Sequence, residues 1–161
     1  MGLFKKRSLL GSGARIPDFE LEDLGGTRQS LSSLSSDSPL VLAFFKTSCP
    51  TCQFTFPFLE RLHRGGVKVY AVSQDEAGST REFLEEFGIS FPALLDKSGK
   101  GYVASNGFGI STVPTTFLIE KDGTVALSFE GFGKSDLESL GRRLGVQVFR
   151  PGEYVPEWKA G

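Results

Sequence analysis

Cys49 and Cys52 are the only two cysteines of the chain, and Pro50 and Thr51 separate them. Two thiols at this spacing could staple the chain, hold half of a metal site, or open and close a shared bond. The staple would do little, because closing a loop of about four residues removes only about 2 kcal/mol of unfolded-chain entropy. The metal reading lacks its other half: there is no second cysteine pair, and the one histidine, His63, cannot complete four ligands. A redox pair remains, and no metal is expected.

A thiolate, not a thiol, attacks a disulfide, and an ordinary cysteine with a pKa near 8.5 is only about 3% thiolate at pH 7. The start of a helix favours an anion through its unpaired amides and its dipole. The elements around the pair supply such a start. Leu40 to Phe45 is an unbroken apolar run, the pattern of a strand covered on both faces. After Pro50, apolar residues at Phe54, Phe58 and Leu62, with Phe56 and Leu59 between them, predict an amphipathic helix ending before Gly65-Gly66. Pro50 suits the first helical position, where its missing donor is orphaned anyway, whereas Pro57 should bend the helix. Cys49 is then the exposed, attacking residue and Cys52, one turn in, the sheltered, resolving one.

The remaining pattern alternates strands and helices. Phe19 to Leu31 predicts a hairpin turning at Gly25-Gly26. Val67–Ser73 reads as a strand, Ser79–Phe87 as a helix capped by Ser79, and Phe91–Asp96 as a short strand with Pro92 at its start. Gly101–Phe108 reads as a short helix. Thr115–Glu120, the turn Lys121-Asp122-Gly123 and Thr124–Phe129 form a second hairpin, and Ser135 caps a last helix with a stripe of Leu137, Leu140 and Leu144. From Gly145 the tail, with Pro151, Pro156 and Trp158, is expected to be irregular and laid on the surface.

Composition bounds the rest. At 161 residues, 39% of them hydrophobic and 15 of them Phe, the chain can build one well-packed core. A net charge of -1 offers no field to hold a polyanion, so no nucleic acid is expected as a partner. No apolar run approaches the roughly 18 residues needed to cross a bilayer. Lys5-Lys6-Arg7 is followed only by Ser8-Leu9-Leu10 before Gly11, short of the roughly 7–15 apolar residues of a secretory signal. A cytoplasmic chain is expected, or a periplasmic or other extracytoplasmic one where a signal has been removed.

Phe44-Phe45-Lys46-Thr47-Ser48-Cys49-Pro50-Thr51-Cys52, Pro57 five residues beyond the pair, and Val113-Pro114-Thr115 before a hairpin together resemble the thioredoxin superfamily. The entry Ala14–Leu21, the segment Phe91–Asp96 and the run Gly109–Ile119 are similar to its TlpA/ResA-like and AhpC/TSA redoxin branch. The resemblance implies an α/β, thioredoxin-like three-layer fold, with a central mixed sheet flanked by helices, an N-terminal β-hairpin and a central insertion. It implies a flexible lead over 1–13, a redoxin domain over 14–144 and a tail over 145–161. It also implies that Pro114 is cis and lies against the cysteines, with Val113, Pro114, Pro50 and Thr51 forming the substrate surface.

Three positions depart from the family. Ser48 stands where a tryptophan usually precedes the first cysteine; the buried acid of thioredoxins falls at Ala43, and the glutamate of ResA-like proteins falls at Thr55. Proton transfer from Cys52 would then use water or another carboxylate such as Glu60 or Asp96.

The expected activity is exchange of the Cys49-Cys52 dithiol with protein disulfides, with no cofactor, an external electron donor and a monomeric enzyme. Two alternatives are a peroxiredoxin-like peroxidase, with Cys49 peroxidatic and Cys52 resolving, and a non-catalytic adaptor. Against the peroxidase, Thr47 lies two rather than three positions before Cys49, and no proline occurs from Val41 to Phe45. His63 is expected on the surface, the Phe54, Phe56 and Phe58 cluster in the core, and Trp158 either packed on the body or at a partner site.

Overall fold

The computed structural model describes residues 8–161. Its elements in chain order are β1 (Glu20–Asp23), β2 (Arg28–Ser30), α1 (Leu31–Ser35), β3 (Leu40–Phe45), α2 (Pro50–Arg64), β4 (Lys68–Ser73), α3 (Ala77–Glu86), β5 (Ala93–Leu95), a 3-10 turn at Ser98–Lys100, α4 (Val103–Phe108), β6 (Thr115–Ile119), β7 (Val125–Glu130), β8 (Phe132–Gly133), α5 (Lys134–Leu144) and β9 (Trp158–Lys159). Seven strands make one mixed sheet in the order β2-β1-β5-β4-β3-β6-β7. Strands β3, β4 and β5 run parallel, while β6 lies antiparallel to β3 and β1 antiparallel to β5.

The central strand divides the core by simple alternation. Val41, Ala43 and Phe45 face one layer with Cys52, Phe56 and Leu59 of α2, Phe83 of α3 and Leu137 and Leu140 of α5. Leu40, Leu42 and Phe44 face the other with Leu31 and Leu34 of α1 and Ala104 and Phe108 of α4. Burial of both faces is why the strand reads as a continuous apolar run. Between β3 and α2 the packing is aromatic: Phe56 lies 4.6 Å from Phe45, 5.4 Å from Phe83 and 5.6 Å from Phe91, centroid to centroid. A Phe56→Ala variant therefore loses about 3–5 kcal/mol of stability through the cavity it opens. Urea unfolding would show this as a lower midpoint at unchanged slope, and a loss under about 1 kcal/mol would mean that the layer collapses around the gap.

Several local expectations shift. Helix α3 begins at Ala77, not at Ser79; Glu76 is its N-cap, and the Ser79 hydroxyl donates to the Glu76 carbonyl instead of capping. The fully buried Thr80, whose hydroxyl meets that of Ser73 at 2.6 Å, fixes the helix against the end of β4. Helix α5 begins at Lys134 with Gly133 as N-cap, so Ser135 lies inside it. Helix α1 has no counterpart in the sequence reading. Its cap comes from Asp18, which accepts the Ser32 amide at 3.1 Å and the hydroxyls of Ser30 and Ser32 at 2.9 Å.

Residues 8–13, expected within a flexible lead, lie on the body: Leu10 donates to the Phe108 carbonyl at 3.2 Å and Gly13 to that of Val125 at 2.8 Å. The basic cluster Lys5-Lys6-Arg7 is outside the described residues. The tail, expected to be irregular throughout, is so only up to Glu157, since Trp158–Lys159 form β9, and it is anchored. Val148 and Val155 are buried, and Arg61 of α2 grips Glu153 with two hydrogen bonds of 2.7 and 2.8 Å. The Arg61 guanidinium, with the Arg150 amide, draws the Glu153 carboxyl down from an ordinary 4.5 to about 2. A depressed carboxylate pKa stabilises the fold above the ordinary value and loses that contribution as pH falls through the depressed one. The tail is thus expected to loosen between pH 4.5 and about 2. Fluorescence of Trp158, the sole tryptophan, should follow that loosening, and in Glu153→Gln the transition over this window should disappear.

Candidate functional site

The parallel strands β3 and β4 end side by side, Phe45 opposite Ser73, and the chemistry-bearing residues gather just beyond them, the usual place in open sheets of this kind. Past Phe45 the chain turns through Lys46–Ser48, with the Cys49 amide donating to the Lys46 carbonyl at 3.2 Å. Two contacts hold this turn. The Thr47 amide donates to the Asp75 carboxylate at 2.7 Å, and the Gln53 side chain donates to the Thr47 carbonyl at 3.0 Å.

Cys49 is the N-cap of α2, with extended backbone, and Pro50 takes the first helical position. The Cys49 sulphur accepts the Cys52 amide at 3.1 Å. It is therefore the capping ligand of the helix, with a backbone donor aimed at the atom that would carry charge during attack. Its thiol donates to the Val113 carbonyl at 3.4 Å. The Val113–Pro114 bond is cis, as the resemblance implied. Four sequence candidates thus converge, with Cys49 and Val113 half-buried, Pro50 exposed and Pro114 buried. Thr51 is half-buried beside them, its hydroxyl donating to the Ala160 carbonyl at 2.6 Å. Both cysteines are free thiols.

Cys52 is fully buried in the layer beneath. Burial pushes its thiol well above the ordinary range, the Cys49 sulphur adds to that, and the Asp75 charge adds a little more. The two thiols thus have opposite surroundings, one reachable and facing a backbone donor, the other dry.

The carboxylates suggested as proton acceptors for Cys52 are engaged elsewhere. Glu60 accepts the Ser90 amide and hydroxyl at 2.8 and 2.5 Å, and Arg64 at 3.0 Å. The buried Asp96 accepts the Ala104 and Ser105 amides and the Ser105 hydroxyl. Asp75, which the sequence reading did not single out, is a carboxylate whose charge disfavours the Cys52 thiolate. Its position two residues after β4, at the carboxyl edge of the sheet, was the available signal. Across from Ala43 in the β3–β6 register stands Thr116, fully buried, with no hydrogen-bond partner for its hydroxyl among the described residues.

On the far flank, a cleft of about 270 Å³ runs beside Val113, lined by Lys46, Gln74, Tyr102, Asn106 and Thr112. Tyr102 holds φ +49°, the one non-glycine residue with left-handed backbone among those described, a conformation that costs energy and gathers at functional surfaces. Lys46 and Ser48 are exposed. His63 is half-buried instead of on the surface: its ring lies 6.0 Å from that of Phe91, and its Nδ1 is buried without a partner among the described residues. Phe56 and Phe58 are core, as expected, and Phe54 packs at its margin.

Residues 12–128 match the AhpC/TSA family. The chain is 32% identical over 141 residues to the thiol-disulfide oxidoreductase ResA of Geobacillus kaustophilus, covering 84% of this chain and 79% of that protein. It is 35% identical over 127 residues to ResA of Halalkalibacterium halodurans, covering 76% and 70%. Among solved structures, a putative thiol:disulfide interchange protein DsbE from Chlorobium tepidum superimposes with a TM-score of 0.73 at 29% identity, over 84% of this chain and 96% of that one. Peroxidoxin BcpB from Mycobacterium tuberculosis does so with a TM-score of 0.68 at 25% identity, over 84% and 94%. With a reachable and a buried thiol one helical turn apart at the edge of a thioredoxin-like sheet, the chain belongs to the AhpC/TSA family, among its ResA-like thiol-disulfide oxidoreductases.

Proposed function

We propose that Cys49 is the attacking and Cys52 the resolving thiol in reduction of disulfides in other proteins. The supporting observation is the contrast at the pair: Cys49 is half-exposed and receives the Cys52 amide at 3.1 Å, whereas Cys52 is fully buried. The Cys49 thiolate attacks one sulphur of the substrate disulfide, forming a mixed disulfide and releasing the other sulphur as a thiolate, which takes up a proton. Cys52 gives up its proton and attacks Cys49; the Cys49–Cys52 bond forms and the second substrate thiolate leaves. Two electrons have passed to the substrate, and an external dithiol returns the pair to its reduced form.

Pro50, Thr51, Val113 and Pro114 form the surface that meets the substrate. An extended segment laid along Val113 would exchange backbone hydrogen bonds there, the mode in which a strand adds to an exposed edge. The catalytic body is residues 14–144, acting as a monomer, and in a reducing compartment such as the cytoplasm it runs towards reduction. Among the described residues no helix is long and apolar enough to cross a membrane. Insulin reduction in the presence of dithiothreitol tests the reading, with peroxide consumption measured in parallel. Activity in the first assay that disappears in Cys49→Ser supports exchange; activity confined to the second would assign the pair to peroxide chemistry, and silence in both would leave a binding role.

A further inference from the structure

The final residues of the chain lie across the approach to Cys49. Trp158–Lys159 pair antiparallel with Phe132–Gly133, the Lys134 amide donates to the Glu157 carbonyl at 3.0 Å, and the Lys159 ammonium stands 5.1 Å from the centre of the Phe54 ring. From this pairing the backbone runs on to the cysteines. The Thr51 hydroxyl donates to the Ala160 carbonyl at 2.6 Å. Gly161 lies so close to Val113 that a Cβ there would overlap the Val113 carbonyl oxygen and the Thr112 hydroxyl.

These are the two walls between which a substrate disulfide must pass. Thr51 stands two residues beyond Cys49, and the Val113 carbonyl is also the acceptor of the Cys49 thiol. Residues 160 and 161 bridge from one wall to the other. The body is shaped to admit them: Gly131 has φ +71°, and a Cβ on it would overlap the Lys159 carbonyl. A glycine at each contact, Gly131 on the body and Gly161 on the strap, lets backbone approach backbone. Residues 157–161 are all exposed and bury no side chain, so the segment is held by a few polar contacts over the groove and has no core to anchor it.

We infer that Trp158–Gly161 form a specificity-determining strap, occupying the groove between Thr51 and Val113 that an extended peptide disulfide needs while leaving the Cys49 sulphur open to small reagents. The inference rests on Cys49 being the attacking thiol. A substrate peptide competes with the strap for the same wall, and its apparent affinity falls in proportion to the fraction of molecules whose groove is open.

Two variants test it in the reduced protein: one lacking residues 157–161, and Gly161→Val, which keeps the β8–β9 pairing but forces the end of the strap off Val113. The first readout is the alkylation rate of Cys49 with iodoacetamide and with a maleimide carried on a short extended peptide. Both variants should react about fivefold or more faster with the peptide reagent and within about twofold of the parent with iodoacetamide. An unchanged peptide-reagent rate overturns the strap, as does equal acceleration with both reagents, which would mean general loosening. The second readout is steady-state reduction of insulin, where the variants should lower KM and leave kcat unchanged; a change in kcat alone counts against the strap. If alkylation separates the reagents as stated while neither parent nor variants reduce any disulfide, the strap stands and the exchange reading falls.

Discussion

Cys49→Ser should abolish disulfide reduction, and Cys52→Ser should leave the attack intact but arrest the enzyme after it. The difference follows from where the two sulphurs sit. Cys49 is the half-exposed one, and serine in its place keeps the N-cap hydrogen bond to the Cys52 amide while removing the only reachable sulphur nucleophile among the described residues. The helix should therefore survive and turnover should fall by roughly a thousandfold or more. In Cys52→Ser the mixed disulfide between Cys49 and substrate still forms but has no internal partner to resolve it. Mass spectrometry after mixing with a protein disulfide should show a covalent adduct that dithiothreitol releases. Adducts through Cys52 in the Cys49→Ser protein would reverse the assignment; since Cys52 is fully buried, none are expected.

The legible parts of this protein were those fixed by local pattern. The apolar run of β3, the period of α2 and the turn at Lys121-Asp122-Gly123 each encode their element within a short window, and all appear where expected. The pairing of Cys49 with Val113–Pro114, 64 residues apart, was legible only through resemblance, since no local rule joins them. What escaped was decided by distant partners. The carboxylate that accepts the first-turn amide of α1 is Asp18, twelve residues before the N-cap Ser30 and beyond the window in which a capping box would be sought. Asp75 reaches Thr47 only because β3 and β4 end together. Glu60 and Asp96 looked available because a sequence shows carboxylates but not the amides and hydroxyls already bound to them. The tail was read as irregular from its prolines and glycines, yet its last residues acquire a strand from β8, an edge that nothing within the tail announces.

The missing family acids have their largest consequence in the pH dependence of the second step. Cys52 must lose its proton to attack Cys49, and burial, reinforced by Cys49 and Asp75, holds its pKa far above neutrality. Nearby, the positions where the resemblance implies an acid are Ala43 and Thr55, and Thr116 opposite Ala43 offers only a hydroxyl, which does not titrate at these pH values. Below its raised pKa the thiolate fraction grows about tenfold for each unit of pH. Release of substrate from the mixed disulfide, followed by stopped-flow in single turnovers, should therefore accelerate with a slope near one on a logarithmic plot from pH 6 to about 9. A plateau within that range would require an internal base. Asp75→Asn gives the direction an independent check: the amide oxygen can still accept the Thr47 N–H, but the negative charge that disfavours the Cys52 thiolate is gone. The same line should then shift towards faster release at every pH, with the attack step, which belongs to Cys49, changed far less. Slower release in that variant would show instead that the carboxylate carries the proton away, making Asp75 the replacement for the acid that positions 43 and 55 lack.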